Sequence, residues 1–410
     1  RKGLVGPWAH KYPHIGVPGP AMGFLQEQLR WWDHWLKGRE TGIMDEPTLR
    51  LFMQESARPA GWYAERAGRW VAEPAWPSPN VARTPFPLRA DGRLGGDAAP
   101  EAALVHESPP DVGMMAGKWC AYGAPGDLPG DQSGEDARTL AFETAPLEEP
   151  VEIAGDPQLT LEIAVDRPLA QVAARLCDVW PDGASTRVSF GVLNLAHRES
   201  HEHPEPLEPG RRYRVTLPMK HVAQRFAAGH RIRIAVSTSY FPMIWPAPER
   251  VTLTLHTEGS ALELPLRSPS TEDAALPAFG PAEAGPPLET EELVPGDQHW
   301  RVCREMSDGS VTLSVGDGSG TFRIVENDLT LLTEGQETYR VEGDDAATAT
   351  GEVSWEMGMS RGDWAISTRT WTRLTADAER FHIRATLEAR EGDRIVHEAE
   401  WDEHVPRNMV

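Results

Sequence analysis

One segment near the start of the chain has the hydrophobic spacing of an amphipathic helix. Between residues 23 and 36, apolar side chains recur at every third or fourth position: Leu25, Leu29, Trp32 and Leu36, flanked by Phe24, Trp31 and Trp35. Lys37 and Gly38 then provide the basic last turn and the glycine that commonly end a helix. We therefore predict a helix over residues 23–36 with one broad buried face.

From residue 140 onward, apolar and polar residues alternate in short runs instead. This alternation is typical of half-buried β-strands, because successive side chains point to opposite faces of a sheet. Six runs lie between residues 140 and 255, with these apolar positions: Leu140 and Phe142; Leu159, Leu161, Ile163 and Val165; Val188, Phe190 and Val192; Tyr213, Val215 and Leu217; Ile232, Ile234 and Val236; Val251, Leu253 and Leu255. Turns such as Pro181-Asp182-Gly183 and Pro209-Gly210 separate them, so the pattern predicts a β-sandwich.

The last third of the chain is predicted to form a separate β unit. Residues 268–295 are rich in Pro, Ala, Glu and Gly and have little periodicity, which is typical of a linker. Alternation returns afterwards in segments 311–315, 321–325, 352–356 and 381–385. These segments predict an antiparallel meander, either as a curved sheet or as a small barrel.

Composition supports a mostly β, multidomain protein and excludes some classes of partner. A length of 410 residues suggests about two to four domains, and 37 Gly with 36 Pro favour many short strands. The formal charge of −22 is spread along the chain, which argues against nucleic-acid and anionic-membrane partners. No apolar run approaches the roughly 18 to 20 residues of a membrane span.

Cysteine and histidine spacing does not favour a disulfide framework or a metal site. The three cysteines, Cys120, Cys177 and Cys303, are odd in number and lack ligand spacing, which favours a reducing, cytoplasmic compartment. A further group of histidines has spacing that would suit zinc, but it lies among glutamates in a predicted loop: His197, His201 and His203. The preferred interpretation of this group is a solvated loop without a metal.

One histidine near the start of the chain has a context that favours catalysis. An apolar strand end at residues 4–5 runs into the loop Gly6-Pro7-Trp8-Ala9-His10, and the predicted helix follows. α/β-Hydrolases place their general base on such a loop, although an ordinary loop histidine is the alternative. Asp33 and His34 are a weaker acid–base candidate, because adjacent helix positions do not face each other.

Two groups of motifs resemble one family of serine hydrolases. The first group is Leu4-Val5-Gly6-Pro7-Trp8-Ala9-His10 with Leu29-Arg30-Trp31-Trp32-Asp33-His34-Trp35-Leu36-Lys37-Gly38. It resembles the end of the hydrolase domain in the cocaine esterase and X-Pro dipeptidyl-peptidase family, the CocE/NonD type. Four downstream runs resemble the jelly-roll domain of that family: Leu140 to Leu147, Asp178-Val179-Trp180-Pro181-Asp182-Gly183, His197 to Pro204, and Gly229-His230-Arg231-Ile232-Arg233-Ile234. The resemblance covers about residues 1 to 265.

The resemblance implies that His10 is the histidine of a catalytic triad. It further implies a small-molecule ester or peptide substrate and no cofactor or metal. We expect Trp8, Trp119 and Tyr122 to contribute to substrate binding. No Gly-x-Ser-x-Gly occurs, and the chain begins with Arg1 rather than Met. Because serine and acid precede the histidine in α/β-hydrolases, we expect the N-terminal catalytic portion to be missing and this chain alone to be inactive.

These expectations assign four regions and leave alternatives open. Residues 1–45 would end an α/β-hydrolase catalytic domain, 46–267 form the jelly-roll sandwich, 268–295 the linker and 296–410 an antiparallel β meander or barrel domain. The rival interpretation is a non-catalytic β-rich module that binds carbohydrate or protein. A further alternative is that the chain associates with a separately encoded catalytic half.

Overall fold

The computed structural model describes residues 1–96 and 100–410. Strands dominate these ranges, which confirms a mostly β protein. The helices within them are α1 (Phe24–Lys37), the short α2 (Ser133–Asp136), and 3₁₀ turns at Pro13–Ile15, Leu195–His197 and Thr271–Ala275. In this part of the chain, none of the helices has the length and apolar character needed to cross a membrane.

The strands fall into an earlier and a later group along the chain. The first fourteen are β1 (Gly3–Val5), β2 (Leu49–Glu55), β3 (Gly68–Glu73), β4 (Val81–Pro87), β5 (Ala103–His106), β6 (Leu140–Glu143), β7 (Val151–Gly155), β8 (Gln158–Val165), β9 (Gln171–Val179), β10 (Ser185–Asn194), β11 (Tyr213–Pro218), β12 (Val222–Phe226), β13 (Arg231–Ser237) and β14 (Leu253–Arg267). The remainder are β15 (Thr290–Pro295), β16 (Gln298–Arg304), β17 (Val311–Asp317), β18 (Gly320–Ile324), β19 (Leu329–Glu342), β20 (Asp345–Arg361), β21 (Trp364–Ala376), β22 (Arg380–Glu391) and β23 (Arg394–Pro406).

Strands β1–β14 form two sheets that enclose one apolar core. The larger sheet has the order β1-β2-β12-β7-β14-β8-β11, with β3 beside β2 and with β4 and β5 beside β14. The smaller sheet has the order β10-β9-β13-β6. Alternating side chains from both sheets are fully buried between them, among them Leu159, Leu161, Ile163, Leu176, Ile234 and Leu255. All six runs predicted between residues 140 and 255 contribute strands to these sheets.

A buried ion cluster connects α2 to the smaller sheet. Arg175 of β9 lies 2.6 Å from a Glu135 oxygen and 2.9 Å from an Asp136 oxygen. Arg233 of β13 lies 2.7 Å from Asp136, which also accepts a hydrogen bond from Ser185 Oγ at 2.7 Å. Each buried charge therefore has an opposite partner, as charges in a protein interior require.

Strands β15–β23 form a third sheet, which packs against loops of the sandwich. Its order is β15-β18-β19-β20-β21-β22-β23, and β17 lies between β16 and β19. Val311, Leu313 and Val315 of β17 pack against Met114 and Phe241 of the sandwich. In the described ranges β15 and β23 end the strand path without pairing to each other, so the unit is an open sheet and not a closed barrel.

Strand register gives the β20–β23 region one apolar and one polar face. Residues directly opposite each other share a face, and on one face most are apolar: Val353, Trp355, Met357, Met359, Ile366, Leu374, Ile383, Leu387 and Trp401. The other face carries polar and charged residues together with one tryptophan: Glu352, Trp371, Arg373, His382, Arg384, Asp402 and His404. The sheet is thus amphipathic, as the period-two alternation predicts.

Helix α1 begins and ends close to the predicted bounds, but its apolar face is not buried. The helix ends at Gly38, which has φ 64° and whose N–H reaches the Asp33 and His34 carbonyl oxygens. The apolar side chains are 41% to 74% exposed: Leu25, Leu29, Trp32, Trp35 and Leu36. The expected burial is therefore wrong for this chain, in which no residue of α1 is fully buried.

The segment predicted as a linker contains two regular elements, the 3₁₀ turn Thr271–Ala275 and β15. Between them, the Phe279 ring lies 3.7 Å below the Arg50 guanidinium and 4.9 Å from the Trp70 ring. All six residues of β15 are exposed. Apolar alternation therefore could not have predicted this strand, which forms through backbone pairing with β18.

Candidate active site

His10 lies on the loop between β1 and α1. Parallel pairing with β2 holds β1, and two backbone hydrogen bonds hold the loop. His10 N donates to Ala121 O at 2.8 Å, and Ala9 N donates to Val17 O at 3.0 Å. The backbone that carries this imidazole is therefore positioned by the sandwich as well as by its own loop.

The His10 ring is exposed and contacts two residues of the sandwich loop 119–127. Its Nδ1 lies 3.6 Å from Sγ of Cys120, a free thiol. Its ring centroid lies 5.0 Å from that of Tyr122. Cys120 is its one polar side-chain partner within residues 1–96 and 100–410. Such an imidazole can exchange protons with groups brought to it, but no carboxylate in the described part of the chain orients it.

The loop that carries Tyr122 is built around a buried carboxylate. Asp127 is 2% exposed and accepts hydrogen bonds from Tyr122 N at 2.7 Å and Ala124 N at 2.8 Å. Trp62 Nε1 donates to Gly123 O at 2.9 Å. These bonds fix the loop backbone and leave half of the Tyr122 side chain exposed beside the imidazole.

Trp119 lies on the same loop but has different neighbours. Its ring is 5.4 Å from the Phe190 ring in an edge-on arrangement, and Lys220 Nζ lies 4.5 Å from its centroid. The Tyr122 ring therefore contacts the His10 ring, whereas the Trp119 ring contacts Phe190 instead. A role in substrate binding stays a prediction for both aromatic residues.

Trp8 packs within the loop that carries His10. Its Nε1 donates to Pro20 O at 2.8 Å, and its ring centroid lies 6.0 Å from that of Trp70. A Cβ at Gly16 would lie only 2.1 Å from Trp8 Cδ1, so this close approach requires glycine. Trp8 thus shapes the loop, and its part in substrate binding stays a prediction.

Asp33 and His34 do not act on each other. Asp33 pairs with Lys37 at 2.7 Å and Arg39 at 2.9 Å, whereas His34 Nδ1 lies 3.2 Å from Arg39 O. The hydrogen bond from Lys37 and that from Arg39 lower the pKa of Asp33. Asp33 therefore anchors the end of α1 to the following residues, as its position in the sequence suggests.

The loop histidines near residue 200 do not converge on a common point. His197 and His201 have their Nδ1 atoms 3.3 Å apart, but the His203 side chain is 80% exposed. Within the described ranges, no group of three or more His, Cys, Asp or Glu side chains could hold a metal ion.

Sequence reasoning missed two contacts that the fold creates. His230 Nδ1 lies 2.8 Å from Asp178 Oδ1 inside the smaller sheet, beneath the Trp180 ring, whose centroid is 4.4 Å from that of His230. The second is Cys120 beside His10, 110 residues away along the chain. Spacing carries no signal for either contact, because adjacent strands and loops bring together residues distant in sequence.

Comparisons with known proteins match the region of the two-sheet sandwich to one domain family. Residues 41–276, more than half of the chain, match the family model of the X-Pro dipeptidyl-peptidase C-terminal non-catalytic domain. A Mycobacterium bovis protein named as a serine esterase is 27% identical over 297 residues, covering 65% of this chain and 45% of that protein. The cocaine esterase of Rhodococcus sp. is 27% identical over 261 residues, covering 58% of this chain and 44% of the esterase.

Among solved structures, an aminopeptidase from a marine sediment Thaumarchaeota archaeon has a similar fold. Its TM-score is 0.54 at 23% identity, over 65% of this chain and 49% of that chain. The present chain spans less than half the length of both curated relatives. By the match over residues 41–276, it belongs to the X-Pro dipeptidyl-peptidase C-terminal domain family, whose relatives include the CocE/NonD-type hydrolases.

Proposed function

We propose that this chain is the C-terminal portion of a serine hydrolase that cleaves ester or amide acyl bonds, with His10 as general base. The observation that carries the proposal is the position of His10. It is an exposed imidazole on a backbone-fixed loop that follows a parallel strand and precedes a helix. α/β-Hydrolases present their base in this way.

The proposal assigns a role to each region. Residues 1–45 complete the catalytic α/β domain, residues 46–267 form a jelly-roll sandwich, and residues 296–410 form an additional β domain. The serine and the carboxylate that orients His10 belong to an N-terminal catalytic portion. The curated relatives support this arrangement, since the aligned region covers only 44% to 45% of their length.

His10 would transfer a proton in both halves of the reaction. In acylation it accepts the serine proton as the oxygen attacks the acyl carbon, then gives that proton to the leaving alcohol or amine. In deacylation it accepts a proton from the attacking water, and that proton then returns to the serine oxygen as the acid departs. Without the serine, this chain alone catalyses neither step.

Two exposed surfaces of the N-terminal segment support docking of a catalytic portion. On α1, Leu29, Trp32 and Leu36 are 58%, 52% and 74% exposed. At the sheet edge, β1 has no second neighbour in the described ranges, and an apolar groove of about 590 Å³ lies beside it, lined in part by Leu51 and Trp76. Proteins normally cover an apolar helix face and an open strand edge.

Turnover by the full-length parent enzyme tests the proposal. We expect His10→Ala to lower hydrolysis of p-nitrophenyl esters or X-Pro anilides by at least about a thousandfold, the scale of losing a triad member. His34→Ala is the matched control and is expected to keep wild-type turnover, because in the described ranges His34 contacts the neighbouring Trp35 and the Arg39 carbonyl oxygen. If His10→Ala also kept wild-type turnover, the result would instead favour a non-catalytic module that binds carbohydrate or protein.

A further inference from the structure

We propose that the polar face of β21–β23 binds a small carboxylate at a site separate from His10. A cavity of about 370 Å³ lies on this face, and its lining includes Trp371, Arg373, His382, Arg384, Asp402 and His404. This volume suits a small organic ligand. The cavity lies outside residues 41–276, the region shared with the family, and the proposal does not depend on the hydrolase assignment.

Two guanidinium groups meet at this cavity. Arg373 and Arg384 are directly opposite on β21 and β22, where like charges repel. Arg384 pairs with Asp402 of β23 at 3.3 Å. Glu352 is directly opposite Arg373 on the other side, but it accepts a hydrogen bond from Trp371 Nε1 at 2.8 Å instead. In the part of the chain that the structure describes, Arg373 therefore has no ion pair, and a bound anion would supply one.

The remaining walls of the cavity are held in fixed orientations. His382 Nε2 lies 2.8 Å from Asp377 Oδ2 and must donate to it, because a carboxylate only accepts. His382 Nδ1 lies 2.8 Å from His404 Nδ1, which orients the second ring at the cavity rim. The bond to Glu352 likewise fixes the Trp371 indole. Ligand binding therefore costs little conformational entropy at these three side chains.

The lining selects a carboxylate carried on a flat, apolar body. A guanidinium matches a carboxylate through two parallel hydrogen bonds, and the Trp371 ring provides a flat surface for stacking. The two carboxylates directly opposite the guanidinium groups in register, Asp402 and Glu352, already have partners. Arg373, which has no ion pair in the described ranges, favours anionic ligands locally although the chain carries a net charge of −22.

Ligand-observed ¹⁹F NMR tests the proposal with 4-fluorobenzoate and the whole chain. We expect saturable binding with a dissociation constant of about 1 mM or below. Arg373→Gln is expected to weaken binding about tenfold or more, because it removes a charge-assisted hydrogen-bond pair. Arg369→Gln is the matched control, on the same strand and face, and is expected to bind normally because Arg369 already pairs with Glu356 at 3.0 Å.

Further probes distinguish recognition of the ligand's charge from recognition of its flat shape. Uncharged 4-fluorobenzamide is expected not to bind, and Arg384→Gln is expected to weaken 4-fluorobenzoate binding as a second variant. The proposal would be overturned by the absence of saturation up to about 20 mM, by equal binding to Arg373→Gln and Arg369→Gln, or by equal binding of the amide. Displacement by inorganic phosphate at the same concentration as benzoate would also overturn the flat-carboxylate assignment.

Discussion

Arg175 and Arg58 both make short ion pairs, but they lie in opposite environments. Arg175 is 1% exposed between Glu135 and Asp136, whereas the Arg58 side chain is 55% exposed and lies 2.6 Å from Asp182. Removing the buried cation leaves Glu135 without an ion-pair partner in a poorly solvated interior, while Asp136 keeps Arg233. Removing the exposed one leaves a carboxylate that water can solvate.

We therefore expect Arg175→Met to lower the free energy of unfolding by about 3–5 kcal/mol. Arg58→Met is the matched control, and its loss is expected to stay below about 1 kcal/mol. Urea denaturation followed by circular dichroism measures both values. Similar losses of unfolding free energy in the two variants would show that burial does not determine how much these charges contribute to stability.

Single residues also mark the limit of what sequence alone could predict at the candidate site. The loop position of His10 follows from local pattern and resemblance. Trp119 and Tyr122 were both predicted to bind substrate, and of the two it is the Tyr122 ring whose centroid lies 5.0 Å from that of His10. Cys120 beside His10 was not foreseen, nor was the His230–Asp178 pair. Both contacts depend on how distant strands and loops pack, which residue spacing does not encode.

At the scale of elements, α1 illustrates what periodicity can and cannot predict. Apolar spacing and Gly38 identified the helix and its end. They could not reveal what covers the apolar face, because periodicity describes one element and not its partner. Similarly, alternation located the six runs of the sandwich, but not the parallel pairing of β1 with β2 or the wholly exposed β15.

The exposed face of α1 leads to a prediction about stability. We expect the triple variant Leu29→Gln, Trp32→Gln and Leu36→Gln to change the Tm of this chain by less than about 2 °C, because these side chains are 52% to 74% exposed here. In the full-length parent, the same variant is expected to lower Tm by about 5 °C or more. Gln28→Ala, on the same helix, is the control. Differential scanning calorimetry measures these Tm values. Equal Tm shifts in this chain and in the parent would contradict the proposal that the catalytic portion covers this face.

The turn between β21 and β22 leads to a pH-dependent prediction. Hydrogen bonds from Glu379 N, His382 and Arg380 N lower the pKa of Asp377 from 3.8 to about 2. Its contribution to folding is therefore complete above the unfolded pKa and is lost as pH falls through about 2. We expect Asp377→Ala to lower Tm at neutral pH, with the difference from wild type shrinking below about pH 4.

Asp393→Ala, in the turn between β22 and β23, is the matched control for Asp377→Ala. It removes a carboxylate from a comparable turn of the same sheet. Its Tm difference from wild type is expected to stay small across the same pH range. A Tm difference for Asp377→Ala that persists unchanged down to pH 2 would rule out this account of the turn.

At the scale of the whole molecule, composition and alternation predicted a mostly β chain with several sheets. They did not predict how the third sheet docks, since alternation identifies strands without naming their neighbours. The contact of Val311, Leu313 and Val315 with Met114 and Phe241 joins segments far apart in sequence. Whether the meander closes into a barrel also depends on pairing between strands far apart in sequence. In the described ranges, β15 and β23 do not pair, and the sheet is open.

We propose that the His10 imidazole performs the proton transfer in the complete enzyme. Imidazole rescue of the full-length His10→Ala variant tests it most directly, with p-nitrophenyl ester turnover as the readout and His34→Ala as control. The account predicts that turnover lost in His10→Ala returns in proportion to added imidazole, while His34→Ala does not respond. Wild-type turnover by His10→Ala, or an equal response of both variants to imidazole, would contradict it.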